Sequence, residues 1–265
     1  MKSSFDVITR HFAPKQDIKI YLIADLHAGA LEFLSGEWHK FREKVLNDPN
    51  AYIIIAGDMI NNATRSSISN VFDEVMRPRE QKRWLADQLA DFAEMDKILC
   101  ATDGNHERRG ERDADDNPMY DVMAKLDCED IYRPDMAFLK LQFGSVNGNG
   151  LLNPTYTLAV THGSGGGAQT GSSVNKAEKA AAYFEGIDVM VTAHTHKGHV
   201  SKPAKYVFDK HNNRISRSYT VVVGCVSWLE WAGYAMRKLL PPAHIADPQQ
   251  LLLCGSRKEI RTVWQ

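Results

Sequence analysis

"IKIYLIADLH", residues 18–27, is an apolar run that stops abruptly at a carboxylate and an imidazole. A continuous aliphatic run of this length reads as a strand buried on both faces, as in the interior of a parallel sheet. The pattern recurs four times. "AYIIIAG" (51–57) leads to Asp58, "KILCAT" (97–102) to Asn105 and His106, "YTLAV" (156–160) to His162, and "IDVMV" (187–191) to His194 and His196. Ligands of open α/β sheets gather at the carboxyl ends of strands, so five such ends can bring these groups, with Asp25 and His27, into one cleft.

Between these runs, 31–46, 79–95 and 173–184 have helical periodicity, and the alternation predicts parallel strands joined by crossover helices. The later part departs from this pattern. "AKYVFDK" and "RISRSYTVVVG" flank "HNN" and predict a long antiparallel hairpin, while "LLLCG" and "IRTVW" add strands toward the C-terminus. The expected architecture is mixed α/β with two packed sheets, in a single domain over 1–265.

A net charge of −1 and a pI near 6.8 give no global attraction to polyanions. A nucleic acid would have to meet local basic patches, of which the sequence offers two: Arg77, Arg79, Lys82 and Arg83 around a helix start, and Arg108, Arg109 and Arg112 beside His106. The four cysteines are far apart without a CxxC pair, so they read as reduced and structural. No stretch approaches the ~18 apolar residues of a membrane span, and the N-terminus has no apolar leader, so a soluble, cytoplasmic protein is expected.

Imidazoles and carboxylates without thiolates suit Mn, Fe, Zn, Co or Ni. Seven candidate ligands, Asp25, His27, Asp58, Asn105, His162, His194 and His196, exceed one tetrahedral sphere. They suit two divalent ions about 3.5–4 Å apart, with one carboxylate bridging. His194 and His196, two apart on a segment read as extended, project to one side and can each reach one metal. His199 falls outside the pattern, at the surface or behind the ligands.

In this order the motifs "DLH" (25–27), "GD" (57–58), "GNHE" (104–107), His162 and "AHTH" (193–196) resemble those of the calcineurin-like metallophosphoesterase superfamily. One departure is Ala193, where the family usually has Gly. The resemblance implies a four-layer αββα sandwich of two mixed β-sheets flanked by helices. It implies that Asp25, His27 and His196 hold one metal, that Asn105, His162 and His194 hold the other, and that Asp58 bridges. His106 would be the general acid, and a hydroxide shared by the cations the nucleophile. "GDMINNATR" lacks the Arg pattern of the Ser/Thr protein phosphatases, whereas "GNHERR" and the Gly-rich segment after His162 look more like repair-exonuclease-type and phage-encoded members.

The expected activity is therefore hydrolysis of a phosphodiester in nucleic acid or a nucleotide-like ester, with manganese favoured. The alternatives are a phosphomonoesterase acting on a small metabolite and a binding scaffold without catalysis; the complete ligand set counts against the scaffold. "ERRGERDADDNP" (107–118) reads as a solvated loop, or more sharply as a loop whose Arg108, Arg109 or Arg112 meets substrate phosphate. "GSGGG" (163–167) fits a weak dinucleotide pattern but reads better as a rim loop.

Overall fold

The computed structural model describes residues 5–264 except 66, 68–70, 145–152, 166–168, 238, 240, 241, 243–245 and 247. In chain order the strands are β1 (Ile8–Phe12), β2 (Ile18–Ile23), β3 (Ala51–Ala56), β4 (Ile98–Thr102), β5 (Met136–Phe143), β6 (Thr155–Thr161), β7 (Val189–Thr192), β8 (His199–Ser201), β9 (Ala204–Asp209), β10 (Arg214–Tyr219), β11 (Val221–Gly224), β12 (Gln250–Leu253) and β13 (Ile260–Val263). The α-helices are α1 (Ser35–Leu46), α2 (Pro78–Glu94), α3 (Glu107–Ala114), α4 (Pro118–Lys125), α5 (Thr170–Ala181) and α6 (Gly233–Arg237).

The first three apolar runs form parallel neighbours in a five-stranded sheet of order β13-β12-β2-β3-β4. The C-terminal strands extend this sheet antiparallel, β12 pairing with β2 and β13 with β12. The other two runs belong to a six-stranded sheet of order β1-β5-β6-β7-β11-β8, which is parallel across β6, β7 and β11 and antiparallel at β5–β6 and β11–β8. Both sheets are mixed.

Strand alternation builds the layers. Leu158 and Val160 of β6, Val189 and Val191 of β7, and Val221 and Val223 of β11 join the large core shared with Ile20, Leu22 and Ile54 of the other sheet. The intervening Ala159, Met190 and Val222 instead form a small cluster with Ala177 and Ala181 of α5. Side chains alternate across a strand, so the six-stranded sheet lies between the central core and α5. Trp38, Phe41 and Val45 of α1 and Leu85, Leu89 and Phe92 of α2 pack on the five-stranded sheet. This is the four-layer αββα arrangement. Among the described residues no helix is long and apolar enough to cross a membrane.

Three expectations change. The crossover pattern is not uniformly parallel, because "MAFLKLQF" forms β5, buried at every second residue and running antiparallel to β6. The hairpin ends at Tyr219: β9 and β10 form their own two-stranded sheet, whereas "VVVG" leaves it as β11 and enters the large sheet. Residues 107–114 are helix α3 rather than loop, anchored by the fully buried Glu107, and Asn117 then caps α4 by accepting the N–H of Tyr120. Part of the Gly-rich run, 166–168, lies outside the described residues.

Candidate metal centre

The strand ends turn sharply, and the turns aim the ligands. Asp25, His27, Asp58, His194 and His196 all have positive φ, at 52°, 49°, 54°, 69° and 57°. Left-handed backbone is uncommon for residues other than glycine and concentrates at functional sites. His194 and His196 therefore do not sit on an extended segment. Thr195 turns back to bond Ala193 O at 2.8 Å, and the two imidazoles go to different groups.

In one group, His196 Nε2 lies 3.3 Å from Asp25 Oδ1 and 3.2 Å from His27 Nε2. In the other, His162 Nε2 lies 3.2 Å from both Asp58 Oδ2 and Asn105 Oδ1, and His194 Nδ1 lies 2.6 Å from Asn105 Oδ1. Asp58 Oδ2 stands between the groups, 3.9 Å from His27 Nε2 and 3.2 Å from His162 Nε2. All seven sequence-derived ligand candidates thus meet in one cluster.

Glu107 organises this cluster, a role the sequence reading did not assign. Its buried carboxylate accepts the N–H of Asp58 at 2.9 Å and of Met59 and Gly104 at 2.8 Å. The N–H of His106 in turn donates to Asp58 Oδ1 at 2.8 Å. The two loops are so close that a Cβ at Gly57 would lie 2.4 Å from Gly104 N, which is why both positions are glycine. No local signal marks Glu107 for this role, because its donors at residues 58–60 lie far away in the sequence.

His106 Nδ1 lies 2.8 Å from Asn61 O and its Nε2 lies 2.8 Å from Arg109 Nη2. Since a guanidinium can only donate, Nε2 accepts and the proton sits on Nδ1. Arg109 also donates to Asn61 O at 3.0 Å, which places it at the cluster's edge. Arg108 turns away to Pro134 O and Asp135 Oδ1, both at 2.7 Å. Arg112 pairs with Asp113, and Lys82 with Asp116 and Asp121. His199 is not at the surface. It is buried in β8 against Gly224, with Nδ1 3.1 Å from Lys197 O.

The electrostatics are those of mutual compensation. Burial would raise the Asp58 carboxyl, but the imidazoles of His106, His162 and His27 outweigh it and hold it well below the usual carboxylate range. Burial opposes a charge on His162, yet Asp58 pushes its pKa up to about 10. Burial pulls His106 down to about 4, Asp58 opposing this and Arg109 adding to it.

The donor set fits a divalent transition-metal pair. Asp25 Oδ1 is buried with no hydrogen-bond partner, although it faces His196 and His27. His162 Nδ1 is committed to Ala56 O at 2.8 Å, so Nε2, which faces Asp58 and Asn105, is the nitrogen that would give up its proton to hold a metal. Donors bound to one ion at about 2.0–2.2 Å stand about 3–3.5 Å apart, close to the separations found here.

Comparison with known proteins gives a match between residues 18–198 and the family described as calcineurin-like phosphoesterase. Comparison with curated proteins gave no match. A solved structure, a conserved uncharacterized protein and predicted phosphoesterase from Streptococcus pneumoniae TIGR4, is 10% identical with a TM-score of 0.36, covering 94% of this chain and 99% of its own. A likeness that distant carries no argument about the site.

Proposed function

The chain belongs to the calcineurin-like phosphoesterase family, and on that premise we propose that it is a two-metal phosphodiesterase acting on nucleic acid or nucleotide-like esters. That it is a metal-dependent phosphoester hydrolase follows from the family and from the His and Asp clusters. The two-metal part of this reading is carried by Asp58 Oδ2, which stands between the two donor groups and so can serve both metals, and the diester part is supported by the "GNHERR" motif and by Arg109 beside His106. In this reading Asp25, His27 and His196 hold one ion, Asn105, His162 and His194 the other, and Asp58 bridges them.

When bound, the metal pair supplies charge neutralisation at the phosphate and an acidified water for attack. The remaining steps belong to the protein. Asn105 offers an amide oxygen, which ligates without adding negative charge. Arg109 meets a phosphate oxygen, and because its guanidinium then leaves His106 Nε2, that nitrogen becomes free to face the leaving oxygen. Freed of the guanidinium and facing the phosphate's negative charge, Nε2 takes up a proton from water, and His106 as imidazolium then serves as general acid by giving that proton to the leaving oxygen. Nδ1 stays on Asn61 O throughout, so the ring keeps its orientation.

Manganese and a cytoplasmic setting belong to the same proposal. The thiolate-free donor set supports the metal, and the cysteines, none in a disulfide, support a reducing compartment. A single metallophosphoesterase domain over 1–265 is part of the proposal as well. The test is a screen of the Mn²⁺-loaded protein against bis-p-nitrophenyl phosphate, p-nitrophenyl phosphate, and single- and double-stranded DNA. Turnover of the diesters is expected. Efficient hydrolysis of the monoester alone would replace this reading with a phosphomonoesterase.

A further inference from the structure

Residues 202–219 carry five basic side chains, Lys202, Lys205, Lys210, Arg214 and Arg217, against a single acidic one, Asp209, in a chain of net charge −1. Most of this segment is the β9–β10 ribbon, a sheet of its own in which Tyr206 faces Arg217 and Phe208 faces Ile215. Alternation puts Tyr206, Phe208, Ile215, Arg217 and Tyr219 on one face. That face is open: Tyr206 is 74% exposed, Phe208 63% and Ile215 67%. Lys202 Nζ and the Arg217 guanidinium lie 5.1 and 5.2 Å from the Tyr219 ring centroid, so the cations are interleaved with the aromatics.

Displaying large apolar side chains on a two-stranded ribbon contributes nothing to the core and costs solubility. The combination of open rings and surplus positive charge has a use, however. Flat rings stack on unpaired bases of any sequence, and the cations meet the phosphates between them. We propose that this ribbon face docks single-stranded nucleic acid, with bases stacked on Tyr206 and Phe208 and phosphates held by Lys202 and Arg217. Charge decides against a second copy of the chain as the occupant, because a two-fold contact would set like charges against each other. A duplex keeps its bases stacked among themselves and offers the rings little.

The ribbon continues β8 and β11 away from the metal centre. Gly224 and His199 pair at the end near His196, whereas Val222 and Ser201 lead toward the ribbon, whose Lys205 reaches Phe184 O beyond α5. The four residues of β11 alone span about 13 Å. The ribbon is therefore an anchor for a strand several nucleotides long, not part of the catalytic centre. The proposal rests on the diesterase reading for calling that strand the substrate, while binding itself rests on the ribbon.

The test measures binding of fluorescent, phosphorothioate-linked oligothymidine, oligouridine and a matching duplex to the full metal-loaded chain. Single strands should bind more tightly than duplex, and the DNA and RNA arms distinguish the two sources of the same chemistry. Tyr206→Ala combined with Phe208→Ala should weaken binding at least ~10-fold. Lys202→Gln with Arg217→Gln should flatten the log–log salt dependence by about 0.7 per lost phosphate contact. Both variants should hydrolyse bis-p-nitrophenyl phosphate at the wild-type rate, since neither touches the metal centre. Unchanged strand affinity in the aromatic variant overturns the proposal, as does failure of the wild type to bind single strands. A wild type that dimerises and a variant that does not, with strand binding kept, overturns it too, in favour of a second copy of the chain. If the ribbon variants lose binding but the wild type cleaves no nucleic acid, docking stands and the diesterase reading fails. If the variants keep both wild-type binding and wild-type cleavage of single strands, the diesterase reading stands and docking fails.

Discussion

Glu107 accepts the backbone N–H of Asp58 at 2.9 Å, so the residue after the proposed general acid holds the loop that presents the proposed bridging ligand. Three further N–H groups, of Met59, Ile60 and Gly104, point at the same carboxylate. Glu107→Gln keeps the shape but turns an amide NH₂ against one set of these donors. Metal affinity, measured by competition with a chelating dye, should fall ~10- to 100-fold, as for other groups that orient ligands. Wild-type affinity in this variant would mean that the loops hold their geometry without it.

Asp58→Ala should cost both ions rather than one. Elemental analysis is expected to give two metals per chain for the wild type and close to none for the variant. Retention of two tightly bound metals would refute the bridge. Metal removal from the wild type should also lower its melting temperature, because a ligand at 100 times its Kd stabilises the native state by about 2.7 kcal/mol. Since the imidazoles ligate only when neutral, affinity should weaken as pH falls.

His106→Ala should leave metal content nearly unchanged and slow turnover ~10²- to 10⁴-fold. The loss should be largest for alkoxide leaving groups, which need a proton, and smaller for p-nitrophenolate, which departs as an anion. Equal losses on both kinds of ester would count against proton donation.

Lys97 is buried, and its ammonium donates to the carbonyls of Val45, Asp48 and Ala51 at 3.2, 2.6 and 3.1 Å. Lys97→Met fills the same space but removes three charge-assisted hydrogen bonds, while Val45 O keeps the N–H of Asp48 and Asp48 O that of Ala51. Denaturant unfolding should show a loss of roughly 1.5–3 kcal/mol, the range for hydrogen bonds made by a charged group.

The strand-end pattern was legible because it is local: an apolar run fixes the strand, and the residues just after it must emerge at its end. The two sheets were legible from the same runs, since strands buried on both faces need a layer on each side. What escaped depended on distant partners. β5 runs antiparallel because it pairs with β6, and nothing inside "MAFLKLQF" states that. The segment after His106 looked like a solvated loop by charge, yet Glu107 is buried because the N–H groups of residues 58–60 wait for it across the site. That His194 and His196 go to different metals was already expected from the sequence; the backbone that separates them, two left-handed residues in place of an extended segment, is a choice that composition does not reveal.

The two neighbouring arginines of α3 separate cleanly in the structure and should separate in function. Arg108 is held by Asp135 and Pro134 O, so Arg108→Ala should change cleavage of DNA little. Arg109 lies against His106, and Arg109→Ala removes both the proposed phosphate contact and the donor that occupies Nε2 in the resting enzyme. On DNA its KM should rise and the salt dependence of binding should flatten by about one phosphate contact. On bis-p-nitrophenyl phosphate a loss is expected as well, because the same guanidinium meets the reacting phosphate there. Arg109→Lys should restore charge but not the fork that reaches Asn61 O and His106 together, so rescue should be partial. If Arg108→Ala carries the larger defect, Asp135 is a resting partner that substrate displaces, and Arg109 serves only to hold His106.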